Sequence, residues 1–506
     1  MIYIAAQPSD LYFTWQIQVY VHNFQNIGIP ADDIHVLLQE TENREILEFC
    51  EMNKDKANFF FYPDTRTGHN YAPTIRPHLL KKHFDKYPWL ESERLFYHDA
   101  DIIFREKLDE SVFKQNDDWY LSNTTEYIGI EHLNSFGFNI LSNLCRLVDL
   151  PVSAALNNRA DFGGAQYVIK GVCYAFWDKH EKDCEAIYNY INDNKPILEA
   201  LHNEGGFNRD VNFQKLQEWC ADMWSMVLNG IYFGFNLKIV DELNFCWPHQ
   251  GLEKWRDCKI LHNAGVTAEQ SEFYFYKSKY INYTPFEDHE LEKYDFTKCT
   301  IKYVDAIKSA RKCLLKSLEK SSVIFVPESE CTREQIEVQV SYLEKYFCNY
   351  DICVYLEGSA KTRFDGIPDL CIINNLQQLL DFVENSICIV INPVVIFKYR
   401  QFYEAFLEIK LKRYELIIPY DVLIPIENKF MKELFKRKLS TSYLLFDERS
   451  ENERYLNNVF ITANFKDLFD SENPCSNIDL SSLLSTGLLK GIPVKRCNDK
   501  YFYLKF

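Results

Sequence analysis

Residues 94–104 read RLFYHDADIIF. Leu95, Phe96 and Tyr97 on one side, and Ile102, Ile103 and Phe104 on the other, are the apolar, aromatic and β-branched residues of a buried strand. His98, Asp99 and Asp101 interrupt the run at its centre. Unpaired carboxylates are costly to bury, so something must compensate them.

The flanking sequence says where this stretch lies in a fold. Upstream, MIYIAAQ is a strand that opens at once into a segment with Phe13, Ile17, Tyr20, Val21 and Phe24 at helical spacing, stopped by Gly28. IHVLLQ and NFFFYP are two further strands, and TIRPHLLKKHFDKYP is a helix ended by Pro88. Strand and helix alternating at this cadence predict an α/β unit with a largely parallel sheet. In such sheets ligands bind at the carboxyl ends of the strands, where His98 to Asp101 would stand. Downstream follow the strands of DWYLSNT and DFGGAQYVIKG, then a helix over RDVNFQKLQEWCADMWSMVLNG and a short strand ending at His262. A charged, helix-prone connector over 286–320 separates this domain, 1–285, from a second α/β pattern over 321–506, which starts with SVIFVP.

Composition sets bounds. A chain of 506 residues exceeds one ordinary core, and 47% hydrophobic with 25% charged residues is globular. A formal charge of −17 argues against a nucleic-acid partner, which needs a basic surface for phosphates. The 16 cysteines are scattered without zinc-type spacing, which fits a reducing compartment better than a disulfide framework. No basic segment followed by an apolar core opens the chain, and no run approaches the roughly 18 apolar residues of a membrane helix. The expectation is a cytoplasmic protein without a transmembrane segment.

Two aspartates one residue apart at a strand end can reach a common divalent cation, and their hard oxygens suit Mn²⁺ or Mg²⁺. The cation would answer the charge problem; the other reading is two ordinary aspartates on a solvated strand end. In context the stretch resembles the DxD metal site of nucleotide-sugar glycosyltransferases with the GT-A fold. DFGGAQYVIKG resembles the Gly-Gly-Ala turn that faces the donor sugar in that group, and ILHNAGV resembles the late His-x-x-Gly of glycogenin-like members. The general look is closer to bacterial relatives of the peptidyl hydroxyproline and serine glycosyltransferases. The resemblance covers roughly residues 1–285 and implies a Rossmann-like mixed sheet. The glycogenin-like pattern continues into Lys-Pro-Trp, whereas this chain has HNAGVTAEQ, so Arg76 or Lys277 would have to replace the missing lysine.

The resemblance assigns Asp99, Asp101 and His262 to the metal. The donor would meet Gln7, Arg76, His98, Asp99, Gly163, Gly164, Gln166 and Lys277. For a general base the candidate is Asp222, an acid in an apolar, aromatic helix where desolvation raises its pKa. Glu218, four residues earlier and expected on the same helical face, is the reserve. Trp219 and Trp224 would stack on an acceptor sugar or fill the core. The implied activity is transfer of a hexose from a UDP-linked or other nucleotide diphosphate sugar to a glycan, lipid-linked glycan or peptide hydroxyl.

In the second domain the strand that could correspond to RLFYHDADIIF carries Asn392-Pro393-Val394 where the carboxylates would stand. This suggests a degenerate GT-A-like domain serving acceptor binding or homodimer formation; an unrelated α/β domain is the alternative. Two other functions compete. A sugar-1-phosphate nucleotidyltransferase would need a Gly-rich basic loop after the first strand, and AAQPSDLYF lacks one. A non-enzymatic scaffold would carry only a vestigial pocket.

Overall fold

The computed structural model describes residues 1–113, 118–136, 139–204, 216–282, 284–287, 291, 294, 296–316, 321–327, 331–346, 350–356, 364–367, 370–383, 387–392, 395–396, 416–418, 422–427, 459–462, 494–496 and 500–505. The chain forms two compact units, 1–285 with 293–310, and 286–292 with 311–506. The expected connector is thus shared between them.

The first unit opens as the sequence predicts. Strand β1 (Ile2–Gln7) leads into helix α1 (Leu11–Asn26), whose N-cap Asp10 accepts the Phe13 N–H at 3.0 Å. Gly28 turns the chain at φ +80°, a conformation glycine adopts without a Cβ penalty. There follow β2 (Ile34–Gln39), α2 (Arg44–Met52), β3 (Asn58–Tyr62), α3 (Ile75–Lys86), β4 (Leu95–Tyr97), β5 (Ile102–Phe104) and β6 (Trp119–Leu121). Four short helices come next: α4 (Thr125–Ile128), α5 (Ile130–Ser135), α6 (Ile140–Leu147) and α7 (Val152–Asn157). Beyond them are β7 (Tyr167–Ile169), α8 (Tyr174–Glu204), α9 (Ala221–Tyr232), β8 (Leu237–Ile239), β9 (Phe245–Cys246), α10 (Leu252–Asp257), β10 (Ile260–His262) and α11 (Thr300–Lys316).

The strands build a seven-stranded sheet in the order β3-β2-β1-β4-β7-β6-β8 and a small sheet β5-β10-β9. The pairings from β3 to β4 are parallel, β7 runs antiparallel to both its neighbours, and β8 is parallel to β6. The fold is therefore α/β with a mixed sheet. Alternation along β1 splits the core. Tyr3 and Ala5 pack with Ile17, Tyr20 and Phe24 of α1, whereas Ile4 and Ala6 pack with Ile75, Leu79 and Phe84 of α3.

The second unit contains β11 (Ser321–Phe325), α12 (Arg333–Tyr346), β12 (Tyr350–Tyr355), β13 (Leu370–Ile373), α13 (Leu376–Phe382), β14 (Ile387–Ile391), β15 (Val395–Ile396), β16 (Leu416–Ile418), β17 (Val422–Glu427), β18 (Val459–Thr462), β19 (Val494–Arg496) and β20 (Lys500–Lys505). Its sheets run β13-β12-β11-β14-β18-β16-β19 and β15-β20-β17. Among the described residues no helix is long and apolar enough to cross a membrane.

Candidate active site

The sheet delivers the interrupted run to its own carboxyl edge. β4 ends at Tyr97, the chain turns through His98 to Asp101, and β5 then leaves the large sheet to pair antiparallel with β10. That pairing sets His262 opposite Ile102, and the Asn263 N–H donates to the Asp101 carbonyl at 2.8 Å. Residues far apart in the chain thereby converge.

Asp99, Asp101 and His262 form the one group among the described residues in which three such side chains could hold a metal ion, their ligand atoms all lying within 4.8 Å. His262 Nε2 stands 3.4 Å from Asp99 Oδ2 and 3.3 Å from Asp101 Oδ1. Two hard carboxylates and an imidazole are a donor set that fits Mn²⁺ or Mg²⁺. The other face of the imidazole fits as well: Gln166, buried, brings its amide nitrogen to 3.3 Å from His262 Nδ1 while its Oε1 has no partner. Turned over, that amide offers the oxygen to an Nδ1–H, which leaves Nε2 free for a cation. Trp247 stacks on the ring with centroids 5.5 Å apart, fixing its plane.

Two cations balance the acids. Arg76, from the first turn of α3, places Nη2 at 2.7 Å from Asp99 Oδ1 and Nη1 at 3.2 Å from Asp222 Oδ2, its guanidinium 5.0 Å above the Tyr97 ring. Lys277 forms an ion pair with Asp101 Oδ2. Burial pushes the Asp101 carboxyl up, but Lys277 and His262 outweigh it and hold it well below the usual range. For Lys277 burial favours the neutral amine, and Asp101 overrides it, so the ammonium is held above its ordinary value.

Asp222 lies in the first turn of α9. Burial raises its pKa, Arg76 opposes that, and neighbouring Asp99 adds to it. Its Oδ1 accepts from the Tyr71 hydroxyl at 3.2 Å. An acid of raised basicity is thus tied through one guanidinium to a carboxylate of the candidate metal group.

The structure gathers Asp99, Asp101, His262, Arg76, Lys277, Gln166 and Asp222, and it moves others away. His98 is fully buried on the opposite face, stacked on Phe96 at 5.2 Å and edge-on to Tyr20 and Phe24. Burial lowers its pKa to about 4, so it is a neutral core group and not a donor contact. Glu218 does not share a helical face with Asp222. It sits in a 3₁₀ turn before α9 and pairs with Lys195 at 2.9 Å. Trp224 is wholly buried, its indole N–H on the Ile128 carbonyl, which makes it core; Trp219, in the preceding 3₁₀ turn, is 63% exposed. Residues 209–215, read as part of one helix with α9, lie outside the described residues.

Gly163 and Gly164 have a packing reason. Gly164 adopts φ +115°, and a Cβ there would meet the Tyr167 ring at 2.3 Å; one at Gly163 would stand 3.1 Å from the Ser122 carbonyl. Gln7 is buried at the end of β1. Sequence reasoning missed Tyr71 and Trp247. Trp247 carries no local signal, whereas Tyr71 in NYAPTIRP lies five residues before Arg76 on the approach to α3.

No protein-family model matches the sequence, and no curated protein does. Among solved structures the chain is similar to the bifunctional glycosyltransferase WbbM at 11% identity, covering 61% of this chain but only 49% of that one, with a TM-score of 0.33. It is also similar to the glycosyltransferase GlyE of Streptococcus pneumoniae TIGR4, at 10% identity over 88% of this chain and 94% of that one, TM-score 0.29. A third is glucosyl-3-phosphoglycerate synthase from Mycobacterium tuberculosis with Mn²⁺, UDP and phosphoglyceric acid, at 11% identity over 39% and 74%, TM-score 0.24. Likeness at this level leaves function to the site's own chemistry.

Proposed function

We propose that the chain is a metal-dependent glycosyltransferase. It moves a hexose from a nucleotide diphosphate sugar, UDP-linked by preference, to a hydroxyl of a glycan, lipid-linked glycan or peptide. The observation that carries this reading is the Asp99–Asp101–His262 group at the carboxyl edge of the sheet, flanked by two partly buried cations and a basic carboxylate.

Asp99, Asp101 and His262 would hold Mn²⁺ or Mg²⁺, which supplies Lewis-acid stabilisation of the charge growing on a leaving diphosphate. Lys277 and Arg76 lie beside these ligands and add fixed positive charge for the same oxygens. In the reaction the bond from the anomeric carbon to the diphosphate oxygen breaks, and one to the acceptor oxygen forms, through an oxocarbenium-like state. The acceptor proton passes to Asp222, whose partly buried carboxylate is the more basic for its surroundings. Exposed Trp219 offers a face for the acceptor, and Gln7 with the Gly163–Gly164 turn borders the donor side. A boundary near 320, with the second unit serving acceptor binding or homodimer formation, belongs to the same proposal.

A nucleotidyltransferase reading finds no support, because the segment after β1 is spent on the Asp10 cap of α1. The test is a UDP-sugar hydrolysis panel with Mn²⁺, comparing wild type with Asp101→Ala. Release of UDP from one sugar, lost in the variant and with EDTA, is the expected result. No turnover and no metal-dependent UDP binding by calorimetry would sink the proposal in favour of a scaffold.

A further inference from the structure

The two units share a plan. Their large sheets have the same strand order and the same direction at every pairing: β11 lies parallel to β12 and β14, β13 parallel to β12, β18 antiparallel to β14 and β16, and β19 parallel to β16. The small sheets agree too, with β15 antiparallel and β17 parallel to β20, as β5 and β9 are to β10. One strand departs in chain order: β17 comes between β16 and β18, whereas β9 follows β8.

The sequences also match where the units begin. At one constant offset, without a gap, Pro8 corresponds to Pro327, Gln16 to Gln335, Ile17 to Ile336, Val19 to Val338 and Val21 to Val340. Burial follows the identities: Gln16 and Gln335 are both buried polar residues, Ile17 and Ile336 both core. Shared α/β architecture explains the sheets alone; it does not explain a buried glutamine in register beside the same isoleucine.

The shared strand order identifies the counterparts of the metal ligands. Between β4 and β5 stand His98-Asp99-Ala100-Asp101, and between β14 and β15 stand Asn392-Pro393-Val394. His262 pairs with Ile102, the first residue of β5; Val395, the first of β15, pairs with Tyr503. Neither that turn nor Tyr503 supplies a carboxylate or an imidazole. Helix α13, which like α3 comes just before the strand feeding this turn, reads LQQLLDF and holds no basic residue. A diphosphate needs cationic compensation, and the second unit offers none at these positions.

We infer that the chain is an internal duplication with one metal–nucleotide site, kept by the first copy, the second copy having lost the capacity to bind a divalent cation and a nucleoside diphosphate. The inference rests on the transferase reading for what the first copy binds. The experiment is calorimetric titration of the full chain, wild type and Asp101→Ala, with UDP in saturating Mn²⁺, and in parallel with Mn²⁺ alone followed by the electron paramagnetic resonance of bound ion. One UDP per chain in the wild type and none in the variant is expected. Two per chain, or one surviving in the variant, overturns the inference. A wild type that binds no UDP refutes the transferase reading instead, and the Mn²⁺ titration then decides. A bound ion that persists in Asp101→Ala overturns the single-site inference, and its absence from the variant upholds the loss in the second copy.

Discussion

Replacing Arg76 with methionine isolates the electrostatics of the site. The guanidinium spans Asp99 and Asp222 at 2.7 and 3.2 Å, and the three side chains are 15%, 26% and 14% exposed. Its removal leaves Asp222 facing Asp99 with the Tyr71 hydroxyl and the Met223 backbone N–H as donors. Removing one partner from a buried ion pair costs about 3–5 kcal/mol, and the partial access of water to Asp99 favours the lower end, about 3 kcal/mol. Burial and Asp99 already raise the Asp222 pKa, and without Arg76 it rises further. A folded-state pKa above the unfolded value adds stability at low pH that is lost as pH rises through it. The deficit of Arg76→Met should therefore be small in acid and grow toward neutrality. Arg76→Met/Asp222→Asn removes the stranded charge and should recover about 1–3 kcal/mol of the loss. Urea unfolding followed by tryptophan fluorescence is the assay, because all 8 tryptophans lie within residues 1–285 and report the first unit alone. A loss below about 0.5 kcal/mol at neutral pH, the level of an ordinary surface change, or a double variant no more stable than Arg76→Met, would refute the reasoning.

Three further outcomes are expected. His35, His83 and His180 are buried, which lowers their pKa values to about 4, 3 and 3. Since the unfolded chain takes up these protons first, near pH 6.5, stability is present above that pH and falls below it, by up to about 1.4 kcal/mol per pH unit for each histidine; a flat profile in pH-dependent urea unfolding between pH 6.5 and 4.5 would contradict this. Gln166→Leu should weaken Mn²⁺ binding about 10–100-fold by releasing the His262 ring, and Gln166→Glu should restore it; calorimetry showing unchanged affinity in the leucine variant would remove Gln166 from the site. Trp219→Ala should raise the acceptor KM while leaving donor hydrolysis intact, whereas Trp224→Ala should cost about 3–5 kcal/mol of stability; equal effects on both assays would erase the distinction between platform and core.

The α/β cadence was legible because β1, α1 and β2 each bury one periodic face, and period and burial agree locally. The DxD acids were legible because carboxylates in an apolar run need a reason. His98 was legible in principle and misread. Successive strand residues point to opposite faces, so His98 follows Phe96 toward α1, and Asp99 follows Tyr97 toward Arg76 of α3. Glu218 failed for another cause: a 3₁₀ turn separates it from α9, so a spacing of four residues does not put it on the face of Asp222. The contacts of Lys277 with Asp101 and of Trp247 with His262 depend on how β10 meets β5, a long-range pairing without local signature.

That pairing also sets an order in time. As the chain leaves the ribosome, Asp99 and Asp101 appear together with Arg76, which can neutralise Asp99 at once. The partners of Asp101, His262 and Lys277, are synthesised far later, and they arrive only when β10 zips against β5. Until then a nascent chain holds a strand end with an unbalanced carboxylate and no imidazole beside it. The candidate site is thus completed only after β10 is made, and a full Asp99–Asp101–His262 set marks that this long-range pairing has formed.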